Sequence, residues 1–148
     1  MEKIVVATNK KAFHEYNILE QFEAGIQLKG SEVKSIREGK ASLKQSYVLT
    51  RKGEAWLRGS HIASYSHTGY EGHDPVRNRK LLLHKKEIQK INSKLAEKGL
   101  TAIPTRMYIK SGFIKLEFGL AKGKKLYDKR ATKKKRDVER DIKRAMKV

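Results

Sequence analysis

The chain has 148 residues, with 35 Lys or Arg against 16 Asp or Glu, a net charge of +19 and a hydrophobic fraction of 38%. That length suits one domain with a packed core and is short for two. The absence of cysteine excludes disulfides and thiolate metal sites, and so basic a chain points to a polyanionic partner, nucleic acid first among them.

The N-terminus, "MEKIVVATNKK", has an apolar run of four residues, too short for a signal peptide. No segment approaches the roughly 20 apolar residues that span a bilayer, so the expectation is a cytoplasmic protein with no membrane partner. "YNILEQFEAGIQL" alternates: Tyr16, Ile18, Phe22, Ala24, Ile26 and Leu28 share one parity, and Asn17, Gln21, Glu23 and Gln27 the other. Period two predicts a strand with one buried face, and Gly25 suits a bulge or bend within it. In "GSEVKSIREGK" the period changes. Ser31 suits an N-cap, Val33 and Ile36 sit three apart, and Gly39 suits a stop, which predicts a short helix over 31–38.

"SYVLTRKGEAWLRGSHIASY" predicts a hairpin turning at Gly53. Residues 66–80 show no periodicity and predict a long loop. His67 and His73 lie there beside Asp74, but without a recognised ligand spacing they are expected to be solvated, and no metal or other cofactor is expected. "HKKEIQKINSKLAEKG" predicts a helix with Ile88, Ile91 and Leu95 on one stripe and Gly99 as its stop. "TAIPTRMYIK" and "FIKLEFGLA" flank Ser111-Gly112, a second hairpin signal, with Pro104 expected at an edge or strand start. About six short strands with inserted helices predict a mainly β fold: a small barrel of the oligonucleotide-binding type with flanking short helices.

From Ala121 onward the chain carries thirteen Lys or Arg against four Asp or Glu. The domain reading is therefore a β-barrel over 1–120 and a basic tail over 121–148. In the tail Val138, Ile142, Ala145 and Met146 form a helical stripe. Repulsion among its cations predicts disorder when free and a helix once a polyanion neutralises it. "GLAKGKK" departs from a phosphate loop in its glycine spacing and lacks a Ser or Thr after the lysine. With no paired carboxylates either, no catalytic constellation is present, and the reading is a binding protein rather than an enzyme. Basic clusters remain. Arg77, Arg79, Lys80, Lys85 and Lys86 surround three leucines, of which Leu81 and Leu83 suit the core while Leu82 suits core or RNA equally. Lys34, Arg37 and Lys40 lie on the short helix, and Lys110 and Lys115 flank the second hairpin.

"NKKAFHEY", "EAGIQLKGSEVKSIREGK", "RKLLLHKKEI" and "LAKGKKLYDKR", in that order and spacing, resemble the SmpB (small protein B) family over roughly residues 9–136. The resemblance implies a protein that binds the tRNA-like domain of tmRNA and replaces its missing anticodon stem. It would travel with elongation factor Tu through the aminoacylated tmRNA and enter stalled ribosomes, so that incomplete products are tagged for degradation. RNA-contact positions carried over by the resemblance are Asn9, Glu23, Leu82, His84 and Lys115. "GKKLYDKR" would read the empty mRNA channel beside small-subunit rRNA at the decoding centre. That assigns Gly123, Lys124, Lys125, Tyr127, Asp128, Lys129 and Arg130 to the ribosome, followed by Lys134, Arg136 and the helical stripe at Ile142. Two alternatives stay open at this point: a structural ribosomal protein, and a nuclease on a barrel scaffold.

Overall fold

Three strands of eleven residues form the frame. They are β2 (Tyr16–Ile26), β8 (Leu100–Lys110) and β9 (Phe113–Gly123). The computed structural model describes residues 3–64, 73–97 and 99–124. Around the frame lie β1 (Lys3–Thr8), α1 (Lys10–Glu15), α2 (Gly30–Arg37), β3 (Ala41–Ser42), β4 (Tyr47–Arg51), β5 (Glu54–Arg58), β6 (His61–Ile62), β7 (Arg79–Leu82) and α3 (Lys85–Leu95).

Strand pairing runs β8–β4–β5–β7–β2–β9 and returns from β9 to β8, with β1 added on β8. The ring is thin at two seams. A single residue pair, Val48 with Ala102, joins β4 to β8, and two pairs, Gly25 with Leu82 and Ile26 with Leu81, join β2 to β7. This is the mainly β, partly closed barrel with short helices that the sequence predicts. Its interior is filled by the inward parity of each strand, including Ala24, Leu57, Leu81, Met107, Leu116 and Phe118. Ile36 of α2 and Ile88 and Ile91 of α3 join the same core. Each of the larger side chains among these contributes about 1.5–3 kcal/mol by leaving water.

Both hairpins turn where expected. Lys52 and Gly53 have φ of 52° and 74°, and Ser111 and Gly112 have 52° and 79°. These are two-residue turns whose left-handed backbone matches strand twist. The helix over α2 forms one residue early, with Lys29 rather than Ser31 at its N-cap. In β2 the irregularity falls between Ile18 and Glu20, not at Gly25, and it leaves Leu19 62% exposed. Gly119 sits across from this bulge, where a Cβ would lie 2.5 Å from Ile18 Cγ2.

Pro104 overturns its expectation. It lies inside β8, between the stretch that pairs β4 at Ala102 and the stretch that pairs β1 from Arg106. Asn9 fills that gap: its backbone N–H donates to Thr105 O at 2.8 Å and its side-chain amide to Pro104 O at 2.9 Å. A residue without an N–H is tolerated where the neighbouring strand is interrupted. The domain boundary also moves. β9 continues to Gly123, with Leu120 and Ala121 buried, so the folded body reaches Lys124, whose N–H donates to Glu15 O at 2.9 Å. The expectations for Lys125, Tyr127, Asp128, Lys129, Arg130, Lys134, Arg136 and Ile142, and for His67, concern residues outside those described.

Candidate nucleic-acid interface

Strand alternation sorts the "RKLLLH" stretch. Arg79 and Leu81 point inward and are buried, while Lys80 and Leu82 point outward, Leu82 with 55% exposure. That settles Leu82 as surface. In register it lies opposite Gly25, and Gly25 lies opposite Lys115. The missing side chain at Gly25 matters here, because a Cβ there would come within 3.3 Å of Leu82 Cβ. Leu82 therefore lies low over β2, and a groove of about 700 Å³ opens beside it. Glu23, Lys80, Leu82, His84 and Lys115 all line this groove.

His84 is exposed at the N-cap of α3, where its N–H donates to Glu87 Oε1 at 3.4 Å. The residue also lines the groove. Lys115 Nζ lies 6.0 Å from the ring centroid of Phe113, itself 68% exposed. Glu23 is anchored from behind. The buried Tyr108 hydroxyl donates to its Oε2, and Lys110 Nζ lies 3.4 Å from its Oε1. The Tyr108 hydrogen bond, more than the Lys110 and Lys3 cations, holds the Glu23 carboxyl below the usual carboxylate range. Burial first, then the Glu23 carboxylate, pushes the Tyr108 phenol up. Glu23 is thus a fixed acceptor at neutral pH, able to take hydrogen bonds from donors in the groove.

Other expected contacts fall elsewhere. Arg79 is corrected from phosphate grip to core: its side chain has no exposure, and its Nε donates to Glu32 Oε2 at 2.6 Å. Its Nη1 donates to Ser60 O and Oγ, both at 3.1 Å. Arg77 is drawn to the same carboxylate, with Nη2 2.5 Å from Glu32 Oε1. Burial alone would raise the Glu32 carboxyl, but hydrogen bonds from Arg77, the Lys29 N–H and Arg79 outweigh it and leave the group below its ordinary value. The pair fixes β7 against α2, and so sets where Lys80 and Leu82 emerge. His73 is likewise corrected. It is buried, its Nε2 donating to Ile62 O and its Nδ1 accepting from Ser31 Oγ, both at 2.8 Å.

Asn9 is buried, its side-chain amide donates to Pro104 O, and it lines a separate small cleft beside α1 rather than this groove. Lys34 and Arg37 are on α2, outside the groove lining. Gly123 and Lys124 belong to the body, with Lys124 Nζ donating to Phe13 O at 3.3 Å. Lys85, from the basic cluster expected around the leucines, also lines the groove, whereas sequence reading missed Lys52 and Glu54 in its wall. The turn at Lys52-Gly53 was the available signal for both. Among the described residues, no helix is long and apolar enough to cross a membrane.

The comparisons with known proteins agree with one another. A family model described as "SmpB protein" matches residues 6–148. An SsrA-binding protein of Sulfurihydrogenibium sp. is 56% identical over 147 residues, covering 99% of this chain and 97% of the relative. One from Carboxydothermus hydrogenoformans is 51% identical over 148 residues, covering 100% and 99%. A chain from the solved structure "tmRNA-SmpB: a journey to the center of the bacterial ribosome" superposes with a TM-score of 0.69 at 46% identity, covering 80% of this chain and 84% of that one. This chain belongs to the SmpB family.

Proposed function

We propose that the protein binds the tRNA-like domain of tmRNA in the groove between β2, β7 and β9, and carries tmRNA into stalled ribosomes for trans-translation. The observation that carries this reading is the convergence of three separate stretches, Glu23, the segment with Lys80, Leu82 and His84, and Lys115, on one outward groove. The relatives are named for SsrA binding, and the structural neighbour for tmRNA and the bacterial ribosome. Lysines supply phosphate attraction, Leu82 and His84 offer surfaces on which a splayed base packs, and Glu23 selects donors. The protein acts by binding, in the cytoplasm, without catalysis or cofactor. Its further partners are small-subunit rRNA at the decoding centre and mRNA channel, met by the basic C-terminal segment, and elongation factor Tu through the aminoacylated tmRNA.

The test is a gel-shift titration of a tRNA-like-domain transcript at fixed salt. Lys115→Ala and His84→Ala are expected to weaken binding about ten-fold while leaving the melting temperature in place, as exposed substitutions do. Unchanged affinity in both variants refutes the groove as the RNA site.

A further inference from the structure

Trp56 is the one tryptophan of the chain, and it stands outside the barrel. In β5 the residues Ala55 and Leu57 are buried, while Glu54, Trp56 and Arg58 face outward. Across the strands Trp56 lies opposite Leu49 on one side and Lys80 on the other. A cleft of about 380 Å³ opens over this row, floored by Trp56 and Leu49 and rimmed by Arg51, Arg58 and Asn78. Arg51 and Arg58 are exposed, and neither has an acidic partner among the described residues. Glu54 is held by Lys80, Nζ to Oε1 3.5 Å, which leaves the rim cationic.

The cleft is continuous with the groove. Lys52 and Glu54 line both. Neighbouring strands lie about 4.8 Å apart, so Trp56 is one strand beyond Lys80 on an unbroken outer face running from Lys115. An aromatic floor with an arginine rim is the chemistry that holds an unpaired nucleotide: the base stacks on the indole, and phosphates meet the guanidinium groups.

We propose that the RNA seated in the Leu82–Lys115 groove continues past Lys80 into this cleft, where an unpaired base stacks on Trp56 and Arg51 and Arg58 hold the flanking phosphates. The inference rests on the groove reading above and extends it to a second contact region.

Because Trp56 is the sole indole, the tryptophan emission of the full-length protein reports on this cleft without any substitution. Titration with the tRNA-like-domain transcript is expected to quench it, saturating together with the gel-shift curve. Trp56→Leu is expected to weaken binding about ten-fold, Trp56→Phe to recover most of the loss, and Arg58→Ala to reduce the salt slope by about one. Emission unchanged while the gel shift reports saturation overturns the proposal, as does wild-type affinity in Trp56→Leu. Emission that answers to ribosomal small subunits and not to the transcript also overturns it, assigning the face to the ribosome. Lys115→Ala separates the two levels. Loss of affinity there with Trp56 silent removes this extension alone, whereas affinity untouched by both Lys115→Ala and His84→Ala removes the groove reading as well.

Discussion

Replacing Glu32 by glutamine tests whether one buried carboxylate sets the position of the binding strand. Glu32 and Arg79 both have fully buried side chains. Oε1 accepts from the Lys29 N–H at 2.8 Å and from Arg77 Nη2 at 2.5 Å, and Oε2 accepts from Arg79 Nε at 2.6 Å. In Glu32→Gln the new side chain would keep one acceptor and turn an amide N–H₂ toward a guanidinium, leaving a buried cation without a counter-charge. Breaking such a pair costs about 3–5 kcal/mol. Arg79 keeps Ser60 O, Ser60 Oγ and Pro75 O, and Arg77 is partly exposed and relaxes into water, so the expected loss is about 3 kcal/mol. Urea denaturation at pH 7 measures it, with an unchanged slope against denaturant as the sign of an intact native state. The pH dependence follows from the direction of the shift. The folded-state pKa lies below the ordinary value of 4.5, so this contribution is present above that value and is lost as pH falls through the folded one. Wild type and Glu32→Gln therefore converge in acid. A difference within about 0.5 kcal/mol at pH 7, the range of ordinary surface substitutions, would refute the reasoning.

Leu82→Ala is expected to leave urea stability within about 0.5 kcal/mol, because Leu82 is 55% exposed, while weakening RNA binding in the gel shift; a loss of several kcal/mol would return Leu82 to the core. Truncation after Lys124 should retain cooperative unfolding and RNA affinity, whereas truncation after Gly119 removes the buried Leu120 and Ala121 and should abolish the cooperative transition, read by circular dichroism. Gly119→Ala places a Cβ 2.5 Å from Ile18 Cγ2 and 3.1 Å from Glu20 O, and overpacking of that kind is expected to cost about 1–3 kcal/mol in the same urea assay.

Local periodicity made the long strand at 16–26, both flanking helices and both hairpins legible, since each is written within a dozen residues. Several misses share a cause, a decisive partner far away in sequence, and the others come from stretches too short or too uniform to show a period. β7 hides in "RKLLLH" because three successive leucines obscure the alternation, and Arg79 is buried only because Glu32 waits 47 residues earlier. His73 is buried for the same kind of reason, held by Ser31 from α2. Pro104 violates the edge-strand rule, and the reason, Asn9 filling the interruption between β1 and β4, lies 95 residues away. β1 and α1 are six residues each, too short to establish a period. In the site, Glu23 came from resemblance alone, Leu82 and Lys115 were also legible as surface candidates, and only the fold explains why they belong together with His84. Tyr108 could not be assigned to the outer face beforehand, because the register shift between Pro104 and Arg106 resets the parity of β8.

The groove and the chain's exit from the barrel lie at opposite ends of one strand pair. Gly25 pairs with Lys115 at one end of β2–β9, and Tyr16 pairs with Gly123 at the other. The eight residue-to-residue steps from Lys115 to Gly123 span at most about 27 Å at roughly 3.4 Å per residue. Lys124 is then tied to α1 through Glu15 O and Phe13 O. The point where the basic segment leaves is therefore fixed by backbone pairing, not by whatever occupies the groove. A ligand in the groove touches the outward face of β7 and the N-terminus of α3, and the strand pairs at the exit need not move when it binds. On the proposed function, a groove RNA and a second polyanion would then be met from opposite ends of this strand pair. Salt dependence should divide in the same way, with groove lysines setting the slope for one RNA and the C-terminal cations for the other.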